Sequence, residues 1–146
     1  MTDDTEPQLP HGADDDHESA YALFQRGQAL LARRHHAQAA IVLERASKLE
    51  PGKASILEAL GRAYYNSRQH ELACETFEAL LEVDPINHYG HYAYGQALKQ
   101  LGRDPEAWTQ LKLAVALAPD SALYRGALRR LPVPDNRDPQ PPPITG

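Results

Sequence analysis

The middle of the chain contains apolar residues at the spacing of α-helices. Between Ala54 and Asn87 these residues recur three and four positions apart, first before and then after a polar turn at residues 66–68. Such spacing is typical of amphipathic helices, and Pro85 ends the second run because the residue before a proline avoids the helical region. The pattern therefore predicts a helical hairpin, with helices at residues 56–65 and 72–83.

The same hairpin pattern occurs three times, at one constant interval along the chain. Each copy has a glycine inside the first helix, an alanine inside the second helix and a proline after the second helix. These residues are Gly27, Gly61 and Gly95; Ala39, Ala73 and Ala107; and Pro51, Pro85 and Pro119. A glycine inside a helix costs about 1 kcal/mol relative to alanine, so its presence in all three copies predicts close contact with a neighbouring helix. A single helix pair cannot bury its apolar side, and we therefore expect the pairs to stack.

Capping signals predict the helices of the first and third copies. The first copy is predicted to form helices at residues 19–33 and 37–49. In the third copy, Asn87 is expected to cap the first helix and Gly102 to end it. Asp104 is expected to cap the second helix, which has Pro105 in its first turn and ends near residue 117.

A short amphipathic helix is predicted at residues 122–131. Arg129 stands where a fourth repeat glycine would fall, so this segment is expected to be a capping helix that shields the last apolar side of the stack. Trp108 is expected to be buried beneath it. The apolar face is predicted to contain Leu123, Ala127, Leu128 and Leu131, with Arg125, Arg129 and Arg130 directed away from it.

The middle copy resembles the tetratricopeptide repeat family, whose pattern is W-x2-L-G-x2-Y, A-x3-F and P at a period of about 34 residues. The copy reads Leu57-x-x-Leu60-Gly61-x-x-Tyr64, Ala73-x-x-x-Phe77 and Pro85, and it departs from the pattern only at Leu57. The outer copies are looser, with departures at Arg26 and His91. The resemblance implies an all-α fold: a right-handed superhelical solenoid of three helix-turn-helix pairs with a C-terminal capping helix. The repeat domain would span residues 17–131, with units at 20–53, 54–87 and 88–121 and the cap at 122–131.

The resemblance also implies a concave groove, lined by the first helix of each unit, that binds an extended peptide or a helix. Side chains three or four positions apart share one side of a helix, and tyrosines suit interfaces because they combine a large ring with a polar tip. The groove residues implied here are Tyr21, Phe24, Gln28, Glu58, Arg62, Tyr65, Tyr89, Tyr92, Gln96 and Lys99. Glu58 and Arg62 are expected to form an ion pair. For Phe24, the alternative is that its side chain packs in the core and does not line the groove.

One known mode of binding in this family is not predicted. The subfamily that grips the C-terminal carboxylate of chaperone tails needs Lys, Asn and Arg on the groove. The matching positions here are Phe24, Gln28, Ala59, Tyr89 and Ala93, so the cationic clamp is missing.

The charge of the chain is unevenly distributed. The formal net charge is -5, but residues 1–16 contain six acids and no Lys or Arg, and residues 132–146 add one further negative charge, so residues 17–131 are mildly basic with a net charge of +2. We expect residues 1–16 to be an acidic disordered tail and residues 132–146, with six prolines, to be a proline-rich disordered tail. An alternative for the acidic tail is that it folds back onto basic surface and competes with a ligand.

The sequence contains no motif of an enzyme or of a cofactor site. P-loop, dinucleotide, nucleophile-elbow and zinc-protease patterns are absent, so no catalytic residue and no cofactor are predicted. Seven histidines lack the spacing of a metal site, and Cys74 is expected to be a small buried apolar residue. No basic face indicates nucleic-acid binding, and no apolar run indicates membrane insertion.

Three functions are compatible with these observations. The preferred one is a non-catalytic adaptor in the cytoplasm that binds a partner peptide or helix in its aromatic-lined groove. The alternatives are a small dedicated chaperone for a secreted or complex-assembly substrate and a self-assembling scaffold, which would make the chain a homo-oligomer.

Overall fold

A computed structural model describes residues 18–135, and all regular structure there is helical. Each helix packs against the helices before and after it in the chain, so that three pairs and a final helix form a right-handed superhelical solenoid. The helices are α1 (Ala20–Ala32), α2 (His36–Leu49), α3 (Ala54–Asn66), α4 (His70–Val83), α5 (His88–Gln100), α6 (Asp104–Leu117) and α7 (Ala122–Arg129). We call α1, α3 and α5 the leading helices and α2, α4 and α6 the trailing helices.

The predictions for the two tails lie largely outside the described residues. This holds for residues 1–16 and for the proline-rich segment beyond residue 135. The boundaries assigned to the three repeat units stay predictions.

Helix ends follow the capping signals with one exception. The Ser19 side chain accepts a hydrogen bond from the Ala22 amide at 3.0 Å, and the Asn87 side chain accepts one from the Gly90 amide at 2.8 Å. Asp104, however, is the first residue of α6 rather than its cap. The cap position belongs to Arg103, whose guanidinium instead pairs with the Glu106 carboxylate at 2.7 Å. Helices α3 and α4 each begin two residues earlier than predicted. The prediction relied on the spacing of apolar residues, and the first residues of these two helices do not take part in that spacing.

The turns inside the three hairpins share one backbone conformation. Arg34, Arg68 and Gly102, at equivalent positions of the three repeats, have φ values of 65°, 67° and 77°. This left-handed region favours glycine, and it lets the next amide bond back to the end of the preceding helix. In the third turn, for example, the Arg103 amide donates to the Leu98 carbonyl at 3.0 Å. Only the third repeat has the residue that the turn prefers.

The repeat glycines lie where the two helices of each pair pack in close contact. A Cβ built on Gly61 would lie 2.5 Å from Cε1 of Phe77, and one on Gly95 would lie 2.9 Å from Cγ of Leu111. The equivalent position in the first pair meets Leu43 in the same way. The predicted reason for these glycines, close contact with a neighbouring helix, is confirmed.

The apolar face of α7 differs from the prediction. Leu123 is 58% exposed, whereas Tyr124, Ala127 and Leu131 are buried. The reason is the register of the helix: residues 124, 127 and 131 recur at helical spacing, and position 123 lies beside that stripe. Trp108 is also less enclosed than expected. It is half-buried against the core, with the Lys112 ammonium 4.8 Å above its ring.

The leading helices form the inner side of the solenoid. Successive leading helices contact each other directly across the pairs, and such contacts between trailing helices are weaker in the described part of the chain. Side chains on the exposed sides of α1, α3 and α5 therefore lie along one continuous surface. Among residues 18–135, no helix combines the length and the hydrophobicity of a membrane-spanning segment.

Candidate functional site

A pocket of about 190 Å³ lies between the leading helices α3 and α5. Phe77 of α4 forms its base and is almost fully buried, while Ala93 leaves room because its side chain is short. We call this the central pocket. Its lining residues are Arg62, Tyr65, Asn66, Phe77, Tyr89, Tyr92, Ala93 and Gln96.

Half of the ten sequence-predicted groove residues meet in the central pocket. Its two walls arise from helical spacing, since residues 62 and 65 share one side of α3 and residues 89, 92 and 96 share one side of α5. The five predicted residues are Arg62, Tyr65, Tyr89, Tyr92 and Gln96. Asn66, Phe77 and Ala93 were not among the predicted groove residues; Asn66 was assigned to a turn and Phe77 to the repeat pattern of the second helix.

Tyrosine rings order this side of the molecule. The Tyr89 and Tyr92 rings have centroids 6.2 Å apart, and the Tyr92 ring stacks on Tyr124 of α7 at 5.0 Å with an interplanar angle of 25°. The Tyr124 hydroxyl is hydrogen-bonded to Nδ1 of His88 at 2.8 Å. The capping helix therefore holds Tyr92 and ends the row of leading helices.

Tyr124 was missed by the sequence interpretation. The predicted face of α7 was built on leucines, and it placed Leu123 inside and left Tyr124 unassigned. A signal was present, because residues 124, 127, 128 and 131 fit the helical period better than the set that begins at 123. Selecting the buried residues of α7 by helical spacing alone, without favouring leucines, identifies Tyr124 as one of them.

Burial keeps two of the pocket tyrosines, Tyr89 and Tyr92, neutral. Burial raises the pKa of Tyr89 to about 12; the Arg62 guanidinium opposes that shift, and the Glu58 carboxylate adds to it. Burial also raises the pKa of Tyr92, against the opposing effects of the Gln96 amide and the Arg130 guanidinium. The hydroxyls of Tyr89 and Tyr92 therefore act as neutral hydrogen-bonding groups at physiological pH.

The predicted ion pair between Glu58 and Arg62 is wrong. Within residues 18–135 the ion pairs are Arg26 with Glu18, Lys53 with Glu50, and Arg103 with Glu106. An ion pair four residues apart on a helix contributes only a few tenths of a kcal/mol, which is too little to fix two side chains. Both groups instead act electrostatically on Tyr89.

The remaining predicted groove residues lie elsewhere. Tyr21 and Phe24 line a second pocket, of about 210 Å³, together with Ile56 and the loop between α2 and α3. Tyr21 is 68% exposed and its hydroxyl accepts a hydrogen bond from the Gln25 amide at 2.7 Å, whereas Phe24 is half-buried against the core. Neither pocket is lined by the other three predicted residues, which are Gln28, Glu58 and Lys99.

His91 and Cys74 have structural surroundings. His91 is buried and its ring nitrogens are each 2.8 Å from an oxygen, Oε1 of Gln110 and the Pro85 carbonyl. Cys74 is buried, and burial raises the pKa of its thiol to about 11, against an opposing effect of Arg103. Among residues 18–135, no three His, Cys, Asp or Glu side chains are grouped so that they could hold a metal ion.

Comparison with known proteins places this architecture. A family model described as tetratricopeptide repeat matches residues 24–78 and 58–122. The chain is 29% identical over 111 residues to Superkiller complex protein 3 of Mus musculus, a match that covers 76% of this chain and 7% of that much longer protein.

Solved structures show the same fold. The first TPR of Spaghetti (RPAP3), bound to the HSP90 peptide SRMEEVD, superposes with a TM-score of 0.74 at 15% identity and covers 77% of this chain and 90% of that chain. YrrB, a TPR protein with an unusual peptide-binding site, also has a TM-score of 0.74, at 22% identity, with 77% of this chain and 58% of that chain covered. From the family match and the helical repeat together, the chain belongs to the tetratricopeptide repeat family.

Proposed function

We propose that this protein is a non-catalytic interaction module that holds a segment of a partner protein along its leading helices. The observation that supports the proposal most directly is the central pocket, where three tyrosines, an arginine and a glutamine surround a space of about 190 Å³. Two of the structures with the same fold are described as peptide-bound or peptide-binding proteins. The partner segment would be an extended peptide or an amphipathic helix.

The size and lining of the central pocket indicate what it can hold. A cavity of about 150 Å³ is enough for a benzene molecule, so the pocket has room for one ring-sized side chain. Aromatic walls favour an apolar or aromatic group, and the neutral hydroxyl of Tyr89 with the Arg62 guanidinium can bind polar atoms of the partner backbone. The pocket would thus supply one anchor, and the rest of the groove would supply weaker contacts.

Affinity capture with matched tyrosine variants tests the proposal. The pocket variant is Tyr65→Ala with Tyr89→Ala, and the control is Tyr94→Ala. Tyr94 is a half-buried tyrosine on the same helix as Tyr89, but it lies on the trailing-helix side, near Glu78 and Arg103. Circular dichroism would confirm that all three proteins are folded.

We expect the wild type and Tyr94→Ala to retain the same partners and the pocket variant to lose them. For a peptide mapped from a captured partner, fluorescence anisotropy should show at least a tenfold weaker Kd for the pocket variant, which corresponds to about 1.4 kcal/mol. Equal retention of partners by the pocket variant and the wild type would remove the central pocket from the proposal.

The same material distinguishes the two alternatives. A dedicated chaperone would have a partner that aggregates or is degraded when this protein is absent. A self-assembling scaffold would show a mass that rises with concentration in light scattering without any ligand. A cytoplasmic location stays a prediction.

A further inference from the structure

Charges are segregated between the two layers of the solenoid. The leading helices and α7 contain five Lys or Arg residues and a single acid, Glu58. The trailing helices contain three Lys or Arg residues and seven acids, four of which lie on α4. The helices of the inner layer are therefore net basic and those of the outer layer net acidic, although the two sets together have no net charge; one of the inner cations, Arg26, is paired with Glu18 just before α1.

Two of the basic side chains lie near the tyrosines of the central pocket and take part in none of the three ion pairs found within residues 18–135. Arg62 lines the pocket and acts on Tyr89, and Arg130 acts on Tyr92 while its guanidinium lies against Gly126. Both guanidiniums are thus available to a carboxylate from outside the described residues. Arginine suits this role because its planar fork binds carboxylates in a bidentate manner.

The chain itself contains a segment of matching charge. Residues 1–16 contain six acids and no Lys or Arg, and they precede α1, the first leading helix. Sixteen extended residues reach about 50 Å. Packed helices lie about 8–10 Å apart, so this length is more than enough to extend from α1 across α3 and α5. A short covalent link gives an effective concentration in the millimolar range, which makes even a weak contact populated.

We propose that residues 1–16 of this chain bind along the basic surface of the leading helices, with their carboxylates at Arg62 and Arg130. The inference goes beyond the proposed function, since it assigns a ligand that belongs to the chain itself. A partner that uses the central pocket has to displace this segment. The contact is electrostatic, so it weakens with salt, because the Debye length falls from about 10 Å at 0.1 M to about 3 Å at 1 M.

A spin label placed in the segment tests the contact on the full chain. The label is attached through Thr5→Cys, and the buried Cys74 with its raised pKa leaves the new thiol as the reactive one. Paramagnetic broadening is then read from the backbone amide signals of the protein. We expect strong broadening at Arg62 and Tyr92 on the inner surface and little at Glu75 and Glu78 on α4.

Charge variants provide the matched comparison. Arg62→Gln with Arg130→Gln should restore most of the lost signal at Tyr92, as should 1 M salt. Arg45→Gln with Lys48→Gln removes two exposed charges from the trailing helix α2 and should leave the broadening unchanged. A further variant with Asn or Gln at all six acids of the segment should behave like the first.

Three results would overturn the proposal. One is the absence of broadening on the inner surface, and another is equal broadening at α4 and at the leading helices. The third is broadening that appears when spin-labelled protein without isotope is mixed with isotope-labelled protein without spin label, because the segment would then bind a second copy. The proposed function does not depend on any of these results, since partner binding to the central pocket is measured separately.

Discussion

Replacement of Gly61 by alanine tests the packing on which the helical hairpin is built. The new Cβ would lie 2.5 Å from Cε1, 2.7 Å from Cζ and 2.8 Å from Cδ1 of Phe77. These three atoms belong to one rigid ring that is 1% exposed, so the ring can give way only by changing its side-chain torsions or by displacing its neighbours. Either Phe77 leaves its rotamer or α3 moves away from α4.

The expected loss of stability follows from two opposing effects. Forcing an extra methyl group into a packed core costs about 1–3 kcal/mol, and this contact is at the severe end. Alanine in place of glycine in a helix returns about 1 kcal/mol. We therefore expect Gly61→Ala to lower the free energy of unfolding by about 1–2 kcal/mol. With an m-value of about 1–3 kcal/mol/M for urea, the unfolding midpoint should fall by roughly 1 M.

Urea unfolding followed by circular dichroism at 222 nm measures this change, and two further variants show its cause. In a Phe77→Ala background the same substitution should stabilise the protein, because only the helix preference remains; the double-mutant cycle isolates the contact. Gly126→Ala in α7 is the matched control, since its Cβ would meet no atom closer than 3.6 Å, from Arg130. It should be neutral or stabilising. If Gly61→Ala is neutral or stabilising in the otherwise wild-type protein, the packing argument is refuted.

The remaining predictions concern α7 and the pocket tyrosines. Tyr124→Phe removes the hydrogen bond to His88 and should cost about 1 kcal/mol in urea unfolding, with no effect expected if that 2.8 Å contact is absent in solution. Leu131→Ala should cost about 2–5 kcal/mol and Leu123→Ala less than about 0.5 kcal/mol, because only Leu131 is buried; similar values would mean that the register of α7 is different. Burial raises the pKa of Tyr89 from 10.0 to about 12, so the unfolded chain loses this proton first and stability should fall between pH 10 and pH 12. Tyr89→Phe should make the urea midpoint fall less steeply over that range.

The fold was predictable because its determinants recur at fixed spacing. Gly61, Ala73 and Pro85 each have counterparts at the same position of the copies before and after, so accidental matches at one site are outweighed by agreement at the others. Side-chain register within a short segment has no such support. Helix α7 has only eight residues, and its apolar face can be drawn to start at position 123 or at position 124. The structure buries Tyr124 and leaves Leu123 exposed.

Helical spacing predicted some of the residues that line the central pocket, but it also selected residues that line no pocket. Tyr65, Tyr89 and Tyr92 were placed on one surface by helical spacing, which is a property of each helix alone. Whether a residue lines a pocket also depends on the distance between helices and on the size of side chains opposite. Gln28 and Lys99 have the required spacing but border neither the central nor the second pocket, because that condition is set by neighbouring helices.

The distribution of charge shows most clearly what a linear reading leaves out. A net charge summed over consecutive residues mixes leading and trailing helices, which alternate along the chain, so a basic layer and an acidic layer cancel. Assigning each helix to its layer separates them, and Arg62, Lys99 and Arg125 then belong to one layer although they are far apart in the sequence. Long-range steering depends on such surfaces rather than on the total charge. For this protein the consequence is specific: acidic segments, including the chain's own residues 1–16, should associate faster with the inner surface at low salt, and basic segments should not.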